Sequence, residues 1–349
     1  MPLRSSEVST LPRRLFPVFV RHGRSSKRFK VGYMDHEGRL VLDAVYDGGT
    51  RFYEGLASVR IGDRWGVVNT TGEFVIQPTA GWGWCRFAEG LASISVRGTW
   101  GIIDKIGKFV LEPKYGYLES FQEGLAVFRV GERAKVRYGF VDKRGVEVIP
   151  AVFHSAYGFS EGLAAVKVGN LWGFVTTSGV FGITPRFEGS RQGRLRMEDT
   201  HAGPFMNGLA PVWAGRGYRF VDTAGTFVVE GAFDEAESFH DERALVQSQG
   251  RYGFIDVTGK TAIEPRFTYA RRFSEQLAAI REQEYKVGVV PPVGFIDVSG
   301  NVVVPPKFYS ATNFQDGLSL VTTKDSIGYI DKLGEFVWKG PYVEYGVLC

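Results

Sequence analysis

The chain has 349 residues, 14% of them aromatic, with 45 glycines, two cysteines and a formal net charge of +4. Nothing in it approaches the ~18 consecutive apolar residues of a membrane-spanning helix, and Cys85 and Cys349 allow at most one disulfide, which fits a reducing compartment better than a disulfide-stapled secreted fold. The basic character is local: residues 1–30 carry Arg4, Arg13, Arg14, Arg21, Arg24, Lys27, Arg28 and Lys30 against Glu7, contributing +7 and leaving −3 for the remainder.

Residues 1–10 read as an N-terminal arm without the apolar core of a signal peptide, so a cytoplasmic protein is expected. From residue 11 to 349 the chain reads as a single array of nine copies of one unit, with a commonest spacing of 34 residues. Two glycines six residues apart mark each copy: Gly32/Gly38, Gly66/Gly72, Gly101/Gly107, Gly139/Gly145, Gly173/Gly179, Gly253/Gly259, Gly294/Gly300 and Gly328/Gly334. In the sixth copy Arg219 takes the first glycine's place, before Gly225. An aromatic residue follows the second glycine by eight positions in every copy except the second, where Ala80 stands. A phenylalanine such as Phe159 introduces each copy after the first.

Within a copy, segments of the type LASV, WGFV and FVI alternate and are rich in β-branched and aromatic residues, which predicts three short strands. Aspartates such as Asp104 and Asp142, three residues before the second glycine, predict a tight turn in which a carboxylate accepts backbone N–H groups and the glycine takes the left-handed conformation. Three antiparallel strands leave the chain at the wrong end for the next copy, so the return segment is expected to run back as a short fourth strand or an extended stretch. The predicted fold is therefore all-β: nine antiparallel meanders in tandem. A closed propeller-like ring is favoured, because neither end carries the polar cap an open stack requires, and an open β-solenoid is the alternative.

Function is expected where the copies differ. The loops between the first two strands are lengthened in copies 1, 4 and 8, all on one face, and copy 5 carries the insertion EGSRQGRLRMEDTHAGP. Arg24, Arg28, Arg133 and Arg137 in the first two of these loops, with Arg191 and Arg194 in the insertion, are candidate contacts for an anionic ligand. In copy 2, Trp82 and Trp84 are candidate stacking surfaces, or else replace the aromatic missing at Ala80. The least implausible catalytic residues are His201 beside Asp199 in the insertion, and Cys85. No spacing proposes a metal site, and no cofactor is expected.

The pattern F-x-E-G-L-A-x-V followed by W-G-F-I-D-x-x-G-x-x-V-I-x-P-x-F, with Trp65-Gly66, Trp100-Gly101 and Trp172-Gly173, resembles the WG-repeat family of bacterial proteins over almost the whole chain. Tyr138, Tyr218 and Tyr252 depart from it at the tryptophan place, and Arg219 at the glycine, where a weakened hairpin is expected. The resemblance implies an interaction module. The leading expectation is a scaffold presenting variable loops on one face to a protein or small anionic partner. An enzyme with a site built from the long loops of copies 1, 4, 5 and 8, and nucleic-acid binding through the basic first 30 residues, are the alternatives.

Overall fold

The computed structural model describes residues 14–21, 29–132, 135–189, 202–229, 231–284 and 290–341. The arm expected over 1–10 lies outside the described residues, as do His201, Asp199, Arg24, Arg28, Arg133, Arg191 and Arg194.

The described residues contain no α-helix and form nine antiparallel sheets in chain order, one per copy. Sheet 5 shows the plan. Ser155–Ala156 pairs with Leu163–Val168, which pairs with Leu171–Thr176, which pairs with Phe181–Glu188. The two-residue strand is the return segment of the preceding copy, so each four-stranded sheet takes its outermost short strand from the copy before it. The burial pattern explains the order: Leu163–Val168 is buried over its first four residues, whereas Phe181–Glu188 alternates and faces solvent on one side. Seven sheets have four strands, sheet 1 has three among the described residues, and sheet 6 has two.

The turn chemistry follows the expectation. Asp142 Oδ1 accepts the N–H groups of Arg144 and Val146, both at 2.9 Å, and the same pair of bonds recurs at Asp35, Asp104, Asp222, Asp256, Asp297 and Asp331. Against desolvation, which is the largest single influence at Asp35, Asp142 and Asp297, these bonds and side-chain bonds from Arg39, Arg144 and Asn301 hold the three carboxyls below the usual carboxylate range, and at Asp256 the Thr258 hydroxyl leads the same lowering. The first glycine of each pair has a different reason. A Cβ at Gly173 would lie 2.6 Å from the Ile183 carbonyl oxygen of the third strand, so only glycine lets that strand approach where its register shifts.

Three kinds of contact recur between successive sheets, and the seam between the last sheet and the first has a counterpart of each. In most copies an aromatic of the second strand meets the phenylalanine introducing the next copy, as Phe174 meets Phe205 at 4.8 Å between ring centroids; at the seam Tyr329 meets Phe16, the first residue of sheet 1's first strand, at 5.6 Å. The second glycine of a copy rests on an apolar side chain of the preceding third strand, Gly179 on Ile149 for example, and Gly38 rests on Val337. In the third contact a carboxylate in the turn before the first strand of one copy accepts a backbone N–H from the same turn of the next. Glu54, Glu89, Glu123, Glu161, Asp241 and Glu275 bond Gly90, Gly124, Gly162, Gly208, Gln276 and Gly317 at 2.7–3.0 Å. At the seam Asp316 is paired with the side chain of Arg14.

One core cluster therefore spans Leu15 to Tyr46 together with Leu318, Leu320, Ile327 and Tyr329. The ring is closed, and the open solenoid is excluded. Closure is made by side-chain packing of sheet 9 against sheet 1.

Candidate functional site: the junction of sheets 5 and 6

The recurring contacts turn the glutamates of the EGLA motif into staples, which removes them as candidates for a unique chemistry. What remains is where the recurrence breaks, and among the described residues it breaks most at sheets 5 and 6. Arg219 stands where eight other copies have glycine. In those copies a Cβ would come within 2.5–2.8 Å of a third-strand carbonyl oxygen. With a side chain there the third strand cannot close up, and it is reduced to the isolated bridges Tyr218↔Phe233 and Val221↔Phe227. The weakened hairpin expected from Arg219 takes this form: the first two strands pair fully, from Leu209↔Asp222 to Trp213↔Tyr218, and the third is lost as a strand.

A groove of about 640 Å³ lies beside this defect. Its walls are Arg186, Phe187 and Glu188 from the end of sheet 5's last strand, Trp213 to Gly215 from the first turn of sheet 6, and Ala224 to Phe227 from its second. The guanidinium of Arg219 lies over the Phe227 ring at 4.0 Å, and that of Arg186 lies over Phe187 at 5.1 Å. The rings of Phe187 and Phe227 meet edge to face at 6.0 Å. Trp213 packs edge to face on Tyr218 at 5.3 Å and turns toward the groove. The copy-5 insertion begins in this wall, since Glu188 is its first residue.

A second break adjoins the first. Asn207 occupies the staple position of copy 6 and makes no bond to copy 7, and a cavity of about 390 Å³ opens there between Asn207, Asp241, Glu242, Arg243 and Gln276. Glu242 and Gln276 stand where the repeat has glycine. They are held at φ of 61° and 71°, the left-handed backbone that glycine adopts in the other copies. Arg243 takes the place of the usual leucine and donates to the carbonyls of Val298 and Glu242.

The residues of copy 2 separate. Trp82 packs edge to face on Phe109 at 5.8 Å, the slot that Phe153 fills on Phe181 and Phe187 on Phe227, so it replaces the aromatic missing at Ala80. Trp84 is 44% exposed and is free to meet a ligand. Cys85 is 4% exposed, its backbone N–H donates to Ser58 Oγ and its carbonyl accepts from the same hydroxyl, and burial pushes its thiol up to about 11. A thiol in that state is a poor nucleophile. Arg137 opens the second strand of sheet 4 and donates to the carbonyl of Val136 at 2.7 Å. The structure thus brings none of these residues to the sheet 5–6 groove. The groove's own residues Arg186, Trp213 and Phe227 were not singled out by sequence; the readable signal was Arg219 in a glycine's place.

A closed ring of antiparallel meanders is a β-propeller, and the class of protein is a propeller built from short tandem repeats. A family model described as "WG containing repeat" matches at residues 32–65, 65–100, 100–133, 138–172, 218–252, 252–285 and 294–325. The chain belongs to that family. No curated protein matches the chain. Among solved structures it is similar to a eukaryotic initiation factor, with a TM-score of 0.61 at 12% identity over 95% of this chain and 96% of that one, a likeness of fold alone. A dihydro-heme d1 dehydrogenase, NirN, overlaps less well, with a TM-score of 0.45 at 14% identity over 84% of this chain and 75% of that one.

Proposed function

We propose that the protein is a binding scaffold whose rigid ring holds a protein or small anionic partner at the junction of sheets 5 and 6. One observation carries this reading. The loss of the repeat's glycine at Arg219, the loss of a regular third strand, the departure of the insertion and the larger groove coincide at one junction, while most other junctions are near copies of each other. An array whose copies share the same architectural contacts has its individuality where those contacts are given up. The groove's surface suits recognition: aromatic faces and guanidinium groups are the residues that concentrate binding energy in protein interfaces.

The test is comparative capture from extracts of the native cell, with the full chain as bait in wild-type form and as Trp213→Ser and Phe227→Ala variants of unchanged melting temperature. A partner held by wild type and lost from both variants is the expected result. A partner held equally by all three baits would overturn the placement.

A further inference from the structure

At the groove and just behind its wall the side chains form a row of alternating character: the Arg186 cation over the Phe187 ring, the Phe187 edge against Phe227, and, behind the lining residue Phe227, the Arg219 cation over its ring. The two arginines are not equivalent. Arg186 donates to the carbonyl of Gly225, as Arg266 does to that of Gly300 two junctions away, so one of its donors serves the ring's architecture. Arg219 has no counterpart in any other copy. Its Nε is shut off from solvent without a hydrogen-bond partner, and no acceptor among the described residues receives its other donors. Among the described residues, the single acid in the groove wall is Glu188.

A guanidinium stacked on a ring has its π face satisfied while its N–H groups point outward in its own plane, the geometry in which it binds an oxyanion through two donors. The neighbouring Phe227 is 38% exposed and with Trp213 offers flat apolar surface beside that charge. The volume falls within the range of small-molecule sites, roughly 300–1,000 Å³.

We propose that this groove binds a small flat organic anion, a ring carrying a carboxylate or phosphate, with its oxyanion on Arg219 and Arg186 and its ring against Phe227 and Trp213. The proposal rests on the reading of this junction as the binding site and assigns that site a ligand class. Arg219 is on this view the price of the site: the repeat's glycine is given up so that a guanidinium with no acceptor among the described residues can face a ligand.

Phenyl phosphate and benzoate are the probes, titrated into the full chain with tryptophan fluorescence and thermal shift as readouts. Inorganic phosphate and benzyl alcohol represent the anion and the ring alone. Both aryl anions are expected to bind wild type, to bind more weakly as salt rises, and to lose at least about tenfold in affinity in Arg219→Met, which keeps the side chain's bulk and removes its charge. Arg219→Gly restores the repeat's own residue, so a stable fold with no binding is expected there. Undiminished binding in Arg219→Met would overturn the proposal, as would inorganic phosphate binding as tightly as phenyl phosphate, or no response of wild type to either aryl anion. A wild-type bait that captures a protein partner through Trp213 and Phe227 while ignoring both aryl anions would refute this ligand class and leave the scaffold reading standing.

Discussion

Closure of the ring can be tested with two alanines. Gly38 and Gly124 have φ of 81° and 82°, so alanine at either should incur the same left-handed backbone strain, roughly 1 kcal/mol. Their surroundings differ. A Cβ at Gly124 has no atom within 4 Å, whereas one at Gly38 would sit 2.2 Å from the carbonyl oxygen and 3.1 Å from the carbonyl carbon of Val337, across the seam. Because the obstacle is backbone, no rotamer change relieves it, and sheets 1 and 9 must separate by about 1 Å at a contact that also holds Phe16 against Tyr329. Overpacking of this kind costs about 1–3 kcal/mol. Gly38→Ala should therefore be less stable than Gly124→Ala by that amount, read as a lower urea midpoint at an unchanged slope. Gly334→Ala meets the side chain of Val304 at 2.6 Å, which can turn aside, and should fall between the two. Equal midpoints for Gly38→Ala and Gly124→Ala would mean that Val337 does not cover Gly38 in solution, and the closed ring would have to be abandoned.

Asn207→Glu should supply the staple missing between copies 6 and 7 by giving the Glu242 N–H a carboxylate, and raise stability by about 0.5–1 kcal/mol in thermal unfolding; an unchanged melting temperature would show that this turn does not need one. Burial pushes the Glu119 carboxyl from 4.5 up to about 7, so the folded protein holds that proton more tightly than the unfolded chain. This group's contribution is full below 4.5 and is lost as pH rises through 7, so Glu119→Gln should gain on wild type by up to roughly 3 kcal/mol between about pH 5 and pH 8, and a difference flat in pH would refute the burial argument. In a Cys349→Ser background, Cys85 should resist a disulfide reagent near pH 8 until denaturant is added, because its thiol is buried and pushed up to about 11; rapid labelling of the native protein would contradict its placement.

Most of the fold was legible because it repeats. One glycine pair, one aspartate turn and one introducing phenylalanine, each weak as a single motif, recur until the strand count and turn geometry are fixed, and the parity of three strands demands a return that the two-residue strands provide. Closure was legible only as the absence of end caps. Its positive evidence, Phe16 on Tyr329 and Gly38 under Val337, joins residues some three hundred positions apart, a pairing that no local pattern encodes. The strained turns at Glu242 and Gln276 show a related limit. A glycine replaced by a larger residue looks like freedom in sequence, but the turn geometry is imposed from both flanks and the substituent must accept it.

Arg219 and Gln276 make the point about the site together. Both replace a repeat glycine, yet only Arg219 is accompanied by a loss of sheet, because the two glycines serve different ends. Gln276 stands where glycine supplies a backbone conformation, which another residue can adopt at a modest energetic cost, with its N–H still stapled by Asp241. Arg219 stands where glycine supplies room for a third strand, and there is no conformation that makes a side chain disappear. A ring with nearest-neighbour contacts can absorb the first kind of change anywhere. The second kind forces a strand away and opens a groove, so a cavity in such a ring is to be sought at the glycines of close approach, and it is there that this chain has placed an arginine whose donors meet no acceptor among the described residues.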